Sequence, residues 1–149
     1  MNTQVKESMI CFSTSRFGEI SVGEDKVIIF VKGIPGFDSL RRFIIIDHDQ
    51  EGVFRWLQSV DNPAVAFLLT DPNIFKPDYT VPLKKSETEA LGAKDTSSLV
   101  TYVMVCASHE NGRMSINLKG PVVFNSDNMR ALQCIIDRDD YQSHFAVRL

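Results

Sequence analysis

Apolar residues run along this chain in short bursts, each closed by a residue that favours turns. Lys26 to Val31 (KVIIFV) is a β-branched run, and Arg42 to Asp47 (RFIIID) is another. Val53 to Gln58 alternates in part, whereas Ala64 to Thr70 is continuously apolar, as in a strand covered on both faces. Leu99 to Ala107 (LVTYVMVCA) is the longest such run; Met114–Leu118, Val122–Phe124 and Leu132–Ile136 follow. All are rich in Val, Ile, Phe or Tyr and too short for ordinary helices. Gly33-Ile34-Pro35-Gly36, Asp61-Asn62-Pro63 and Asp71-Pro72-Asn73 predict chain reversals, and Asn111-Gly112 predicts a tight hairpin. Gly33, Gly36 and Gly52 read as turn glycines with φ above zero. Ser86 with Glu89 predicts a capping box opening a short helix that Gly92 stops, and a second short turn is expected after Asp38. Strands succeeding one another without long helices predict an all-β barrel or sandwich, a single domain over residues 1–149 with one or two short helices.

Composition narrows the function. The 149 residues are 44% hydrophobic and 23% charged, enough for one core that needs no staple. No run approaches the ~18 apolar residues of a membrane helix, and the N-terminus lacks the plan of a secretion signal. A cytoplasmic protein with no membrane association is expected. Its three cysteines, Cys11, Cys106 and Cys134, are scattered and odd in number, so they predict small buried hydrophobes and no disulfide framework. The net charge of −3 argues against gripping phosphate backbones and suits a basic protein partner.

No catalytic, metal or cofactor constellation emerges. His48, His109 and His144 have no partner at metal-binding spacing, and no nucleophile elbow or glycine-rich phosphate loop occurs. Cys106 and His109 are expected as a surface thiol and a solvated imidazole. Asp47, Asp49 and Glu51 have the opening spacing of a calcium loop, but the position that should close it is Gln58. These carboxylates are expected as a solvated loop or an acidic contact patch. Most of the ten Phe lie inside apolar runs, which disfavours a nucleic-acid stacking platform.

Several segments in order and spacing resemble the FliW flagellar assembly factors. They are Val27–Phe30 leading into Gly33-Ile34-Pro35-Gly36-Phe37; Leu57-Gln58-Ser59; Pro63–Phe67 with Asp71-Pro72; Pro77-Asp78-Tyr79; Ile116-Asn117-Leu118-Lys119-Gly120-Pro121; and Gln133 and Tyr141. The resemblance runs from about Phe17 to the C-terminus; residues 1–8 are expected as a flexible lead-in. It implies a compact β-barrel-like fold and two partners: CsrA, a translational repressor, and flagellin, bound in the cytoplasm. In family terms, binding CsrA relieves repression of flagellin translation, and flagellin competes for the same pool. The alternative is a β-domain that binds RNA directly.

Loops carry contacts more often than strands do, which selects the partner-binding candidates. Ile34, Pro35 and Phe37 place apolar atoms at a turn, and Phe75, Asp78 and Tyr79 lie in a Pro-containing connection suited to docking a flagellin helix. Asp47, Asp49 and Glu51 are the electrostatic candidates for CsrA. Trp56, the only Trp, is expected in the core.

Overall fold

Residues 8–107 and 112–148 are described by a computed structural model of the chain. The apolar runs become strands β3 (Ile28–Phe30), β4 (Arg42–Asp47), β5 (Phe54–Ser59), β6 (Ala66–Thr70), β7 (Leu99–Ala107), β8 (Met114–Ile116), β9 (Val122–Asn125) and β10 (Arg130–Gln133). Three strands were not expected from the sequence: β1 (Met9–Thr14), β2 (Gly18–Gly23) and β11 (Phe145–Val147). Two short helices, α1 (Pro72–Phe75) and α2 (Lys85–Ala90), complete the set with a 3-10 turn at Glu24–Lys26.

The sheet closes on itself. Strands β7, β6, β5, β4, β3, β10 and β9 pair in that order, and β9 pairs back onto β7 through Leu99↔Asn125 to Tyr102↔Val122. All pairings in the ring are antiparallel except β3 with β10, which is parallel. Closure leaves this ring without an edge. The far half of β7 leaves the ring and pairs with β8, and β8 with β11, forming a three-stranded flap.

Period-2 alternation then sorts the side chains. Phe43 and Ile45 of β4 point into the barrel with Ile28, Phe30, Leu57, Leu69, Val122 and Ala131. Ile44 and Ile46 point outward, where Ile10, Phe12, Ile20 and Val22 of the β1–β2 hairpin cover them. This explains the solid apolar character of RFIIID: both faces of β4 are covered. The flap packs Ile116 and Val147 against Tyr79, Val103, Leu118, Ile136 and Tyr141. Helix α2 lies over Leu91, Val123, Leu132 and Cys134.

Several expectations shift. The helix cap sits two residues early: the Glu87 carboxylate, not that of Glu89, accepts from the Lys84 N–H at 2.8 Å. Asp71-Pro72-Asn73 opens α1, with the Asp71 carboxylate accepting from the Asn73 N–H at 2.9 Å and Pro72 in the first turn. Gly36 and Gly52 are left-handed, with φ of 86° and 74°, but Gly33 is not. A Cβ on Gly33 would lie 2.3 Å from the Asp38 Cα, so close backbone approach explains that glycine. Cys134 is buried as expected and Cys106 is exposed, as expected of a surface thiol, whereas Cys11 is exposed and not a buried hydrophobe. The Asn111-Gly112 hairpin signal, His109 and residues 1–7 lie at least partly outside the described residues.

Candidate protein-binding surfaces

The candidate residues occupy three separate places. The antiparallel register puts the start of β4 and the end of β5 at one end of the barrel, with the Gly33–Phe37 turn. At that end Ile34 is 2% exposed and belongs to the core, whereas Pro35 is exposed. Phe37 is 38% exposed, its ring edge-on to Phe67 at 5.3 Å. The turn is closed by the Phe37 N–H donating to Ile34 O at 2.7 Å. One aromatic face is thus fixed by packing and still offered to solvent, which suits contact with little ordering cost.

Asp47, Asp49 and Glu51 lie at the opposite end, in and after the last residue of β4. Their roles differ. Asp47 is exposed and pairs with Arg55 at 3.0 Å, a surface ion pair that stabilises by ~0–1 kcal/mol. Asp49 closes its own loop, accepting from the Val53 and Phe54 N–H groups at 3.1 and 3.3 Å. Desolvation pushes its carboxyl upward, but the N–H groups of Val53, Gly52 and Phe54, with His48, outweigh this and hold it below its ordinary value. Glu51 is exposed.

The third place flanks the flap. The Asn73 side-chain amide donates to Lys76 O, Pro77 O and, at 3.0 Å, Tyr79 O, so one side chain shapes the whole connection. Tyr79 is 4% exposed, and its hydroxyl donates to Leu118 O at 2.7 Å. Burial raises its phenol above the ordinary range. Phe75 is half-buried, and Asp78 is exposed beside the Lys76 ammonium at 3.2 Å. Ile34 and Tyr79 therefore serve packing, while Pro35, Phe37, Asp47, Glu51, Phe75 and Asp78 offer surface.

Two features escaped the sequence reading. Trp56 is half-buried on the outer face of β5, not in the barrel. The Arg16 guanidinium lies 4.2 Å above its ring, and Phe17 meets it edge-on at 6.1 Å. Beside it, at the acidic end of the barrel, opens a recess of about 680 Å³. Its floor is apolar, including Ile28, Ile45, Tyr102, Phe124 and Met129, with Asp47, Arg55 and Lys26 at its margin. The clue was the STSRFG stretch: Thr14 and Phe17 close a hairpin turn there, the Thr14 hydroxyl accepting from the Phe17 N–H at 2.8 Å.

Among the described residues, no group of three His, Cys, Asp or Glu is placed to hold a metal ion. No helix among them is long and apolar enough to cross a membrane.

Comparison with known proteins gives one consistent result. The FliW protein family matches residues 11–147. Flagellar assembly factor FliW of Caldanaerobacter subterraneus subsp. tengcongensis is 42% identical over 130 residues, covering 87% of each chain. That of Thermoanaerobacter pseudethanolicus is 41% identical, again over 87% of each. A crystal structure of the flagellar assembly factor FliW superposes with a TM-score of 0.83 at 26% identity, covering 93% of this chain and 97% of that one.

Proposed function

The chain belongs to the FliW family of flagellar assembly factors, and on that premise we propose that it acts in the cytoplasm as a protein-binding regulator of flagellin synthesis. It binds the translational repressor CsrA and so relieves repression of flagellin translation. It also binds flagellin before export. The two partners draw on one pool, so flagellin abundance sets how much of this protein remains to hold CsrA. No bond-making step is involved.

One observation carries the reading: the family match runs over residues 11–147, from within the first hairpin strand through the closed ring to the last strand of the flap. The surface supports it in detail. A contact of ordinary size buries roughly 800 Å² per partner, and the total accessible surface is 9252 Å². Asp47 and Glu51 would favour encounter with the basic surface that an RNA-binding repressor must carry. Phe37 and Phe75 are half-exposed aromatics of the sort that anchor interfaces.

The test is size-exclusion chromatography with purified CsrA, then with flagellin added. Co-elution with CsrA, and loss of that complex as flagellin rises, is expected. Retention of neither partner would overturn the proposal. A parallel titration with structured RNA at two salt concentrations separates the alternative: submicromolar, steeply salt-dependent binding by this chain alone would mean direct RNA recognition.

A further inference from the structure

Every strand of the ring has two neighbours, but β4 is longer than one of them. Strand β3 covers β4 through Ile28↔Phe43 and Ile29↔Arg42, and the register would next set Lys26 opposite Ile45 and Glu24 opposite Asp47. Those residues instead form the 3-10 turn Glu24–Lys26, so β4 from Ile44 to Asp47 keeps β5 on one side and, among the described residues, has no strand on the other. Hydrogen bonding fixes the direction of its backbone groups. The Phe30 N–H donates to Arg41 O, while the Val60 N–H donates to Arg42 O and the His48 N–H to Phe54 O. Odd positions along this strand thus turn their backbone groups toward β3, and even positions toward β5. Ile45 and Asp47 therefore each aim an N–H and a C=O at the uncovered side, and among the described residues neither makes a backbone hydrogen bond there. Exposure follows the same line: Phe43 and Ile44 are buried, Ile45 and Ile46 are half-buried, and Asp47 is exposed.

The uncovered side opens on the apolar recess of about 680 Å³ at this end of the barrel. Tyr102 and Phe124 line it with parallel rings 6.1 Å apart, and Phe17 and Ile20 line it from the hairpin. Met129 also lines it, with a φ of 60°, the one positive φ at a non-glycine position among the described residues. Glycine takes that conformation readily, so what methionine adds at this turn is its side chain, packed against the barrel core at the recess. At the margin, the Asp47 carboxylate is engaged by Arg55 at 3.0 Å. Lys26, at the same margin, has no carboxylate in ion-pair reach among the described residues.

We propose that the overhang of β4 is a strand-addition slot for an extended segment of a partner protein, apolar at alternate positions and carrying a carboxylate that meets Lys26. Backbone bonds to Ile45 and Asp47 would continue the ladder that β3 leaves, over a stretch of about 13 Å. The alternate apolar side chains would enter the recess, and the uncompensated ammonium at its margin selects an acidic residue there. A helix fits this slot poorly, because its own N–H and C=O groups are already paired with one another. The inference rests on the overhang and the recess, and holds independently of which proteins the chain regulates.

The experiment uses the full chain, isotopically labelled, and the acetylated, amidated peptide Val-Thr-Val-Thr-Asp, with a version ending in Lys as counter-probe. The largest amide shifts at Ile45 and Asp47, and at least fivefold weaker binding of the Lys peptide, are expected. Two further versions carry N-methyl groups on the Val amides or on the Thr amides. A paired strand turns one of these sets toward β4 and the other away, so one version should bind at least tenfold more weakly than the other. Lys26→Glu should weaken the acidic peptide at least fivefold. Met129→Gly, which suits the left-handed turn, should weaken it at least fivefold while the amide spectrum away from the recess holds. Failure of the acidic peptide to bind at millimolar concentration, equal affinity of the two N-methylated versions, or undiminished binding by Lys26→Glu would overturn the proposal. Concentration-dependent dimerisation that Met129→Gly abolishes would assign the slot to a second copy of the chain and equally overturn it.

Discussion

Replacing Gly33 with Ala should cost about 3 kcal/mol of folding stability, and the reason is steric. The added Cβ would sit 2.3 Å from Asp38 Cα, 2.5 Å from its carbonyl oxygen and 2.7 Å from its carbonyl carbon. Ordinary contact begins near 3.4 Å, so the two backbones must part by about 1 Å. No flexible side chain can absorb that, because every atom met belongs to the main chain. Overpacking of this kind costs roughly 1–3 kcal/mol. Parting the loop also strains the Phe37–Ile34 and Leu40–Phe37 hydrogen bonds, at 2.7 and 3.0 Å, each worth about 1 kcal/mol net. Ile34, fully engaged in the barrel core, would be pulled with them. Gly36 supplies the control. Nothing lies within 4 Å of a Cβ there, so Gly36→Ala meets only its left-handed backbone, a cost of about 1–2 kcal/mol. Urea denaturation of the two variants measures both. A Gly33→Ala variant within 1 kcal/mol of the parent, or less affected than Gly36→Ala, would refute the close-approach argument.

Three further outcomes are expected. Asp49 has a folded pKa below its ordinary 3.8, so its contribution is complete above that pH and fades as pH falls through the lowered value. Asp49→Asn should therefore unfold at lower urea than the parent at pH 7, with the gap closing in acid; a gap unchanged down to pH 3 would contradict this. Among the three thiols, Cys11 and Cys106 should react with a disulfide reagent in the native protein and Cys134 only after denaturation, because burial, with Glu87 beside it, pushes its thiol up to about 12; equal native rates would refute the burial. Reversing Asp47 and Glu51 to Lys together should weaken CsrA binding about tenfold with the urea midpoint nearly unchanged; unaltered affinity would remove this end of the barrel from the CsrA contact.

The strand runs of the barrel were legible because each carries β-branched or aromatic residues between strong turn formers. What the local pattern missed were elements whose identity depends on distant partners. Ile10, Phe12, Ile20 and Val22 alternate correctly, yet only the outward face of β4 gives them something to cover. Strand β11 is three residues long and exists because β8 lies beside it. Trp56 read as core because it sits in an apolar strand, but its register partner Ile46 faces outward and carries it to that side. The candidate sites were legible only as turns. Many of the residues that carry the family resemblance proved to be loop staples. The Gln58 amide donates to Ser59 O and Val65 O, and the Ser59 hydroxyl accepts from the Asp61 and Asn62 N–H groups. The Gln133 amide donates to Gly120 O. Such residues report the fold strongly and the partner contacts weakly, which is why family was easier to infer than surface.

The one parallel seam in the ring, Ile29 against Arg130 and Phe30 against Ala131, joins positions about a hundred residues apart. During synthesis β3 and β4 emerge early, but their ring cannot shut until β10 has left the ribosome. A nascent chain stalled before that point carries an open β3 rim that competes for other strands. Any surface that depends on the closed ring should therefore appear only once β10 is in place, and not in proportion to the β3 and β4 segments already made.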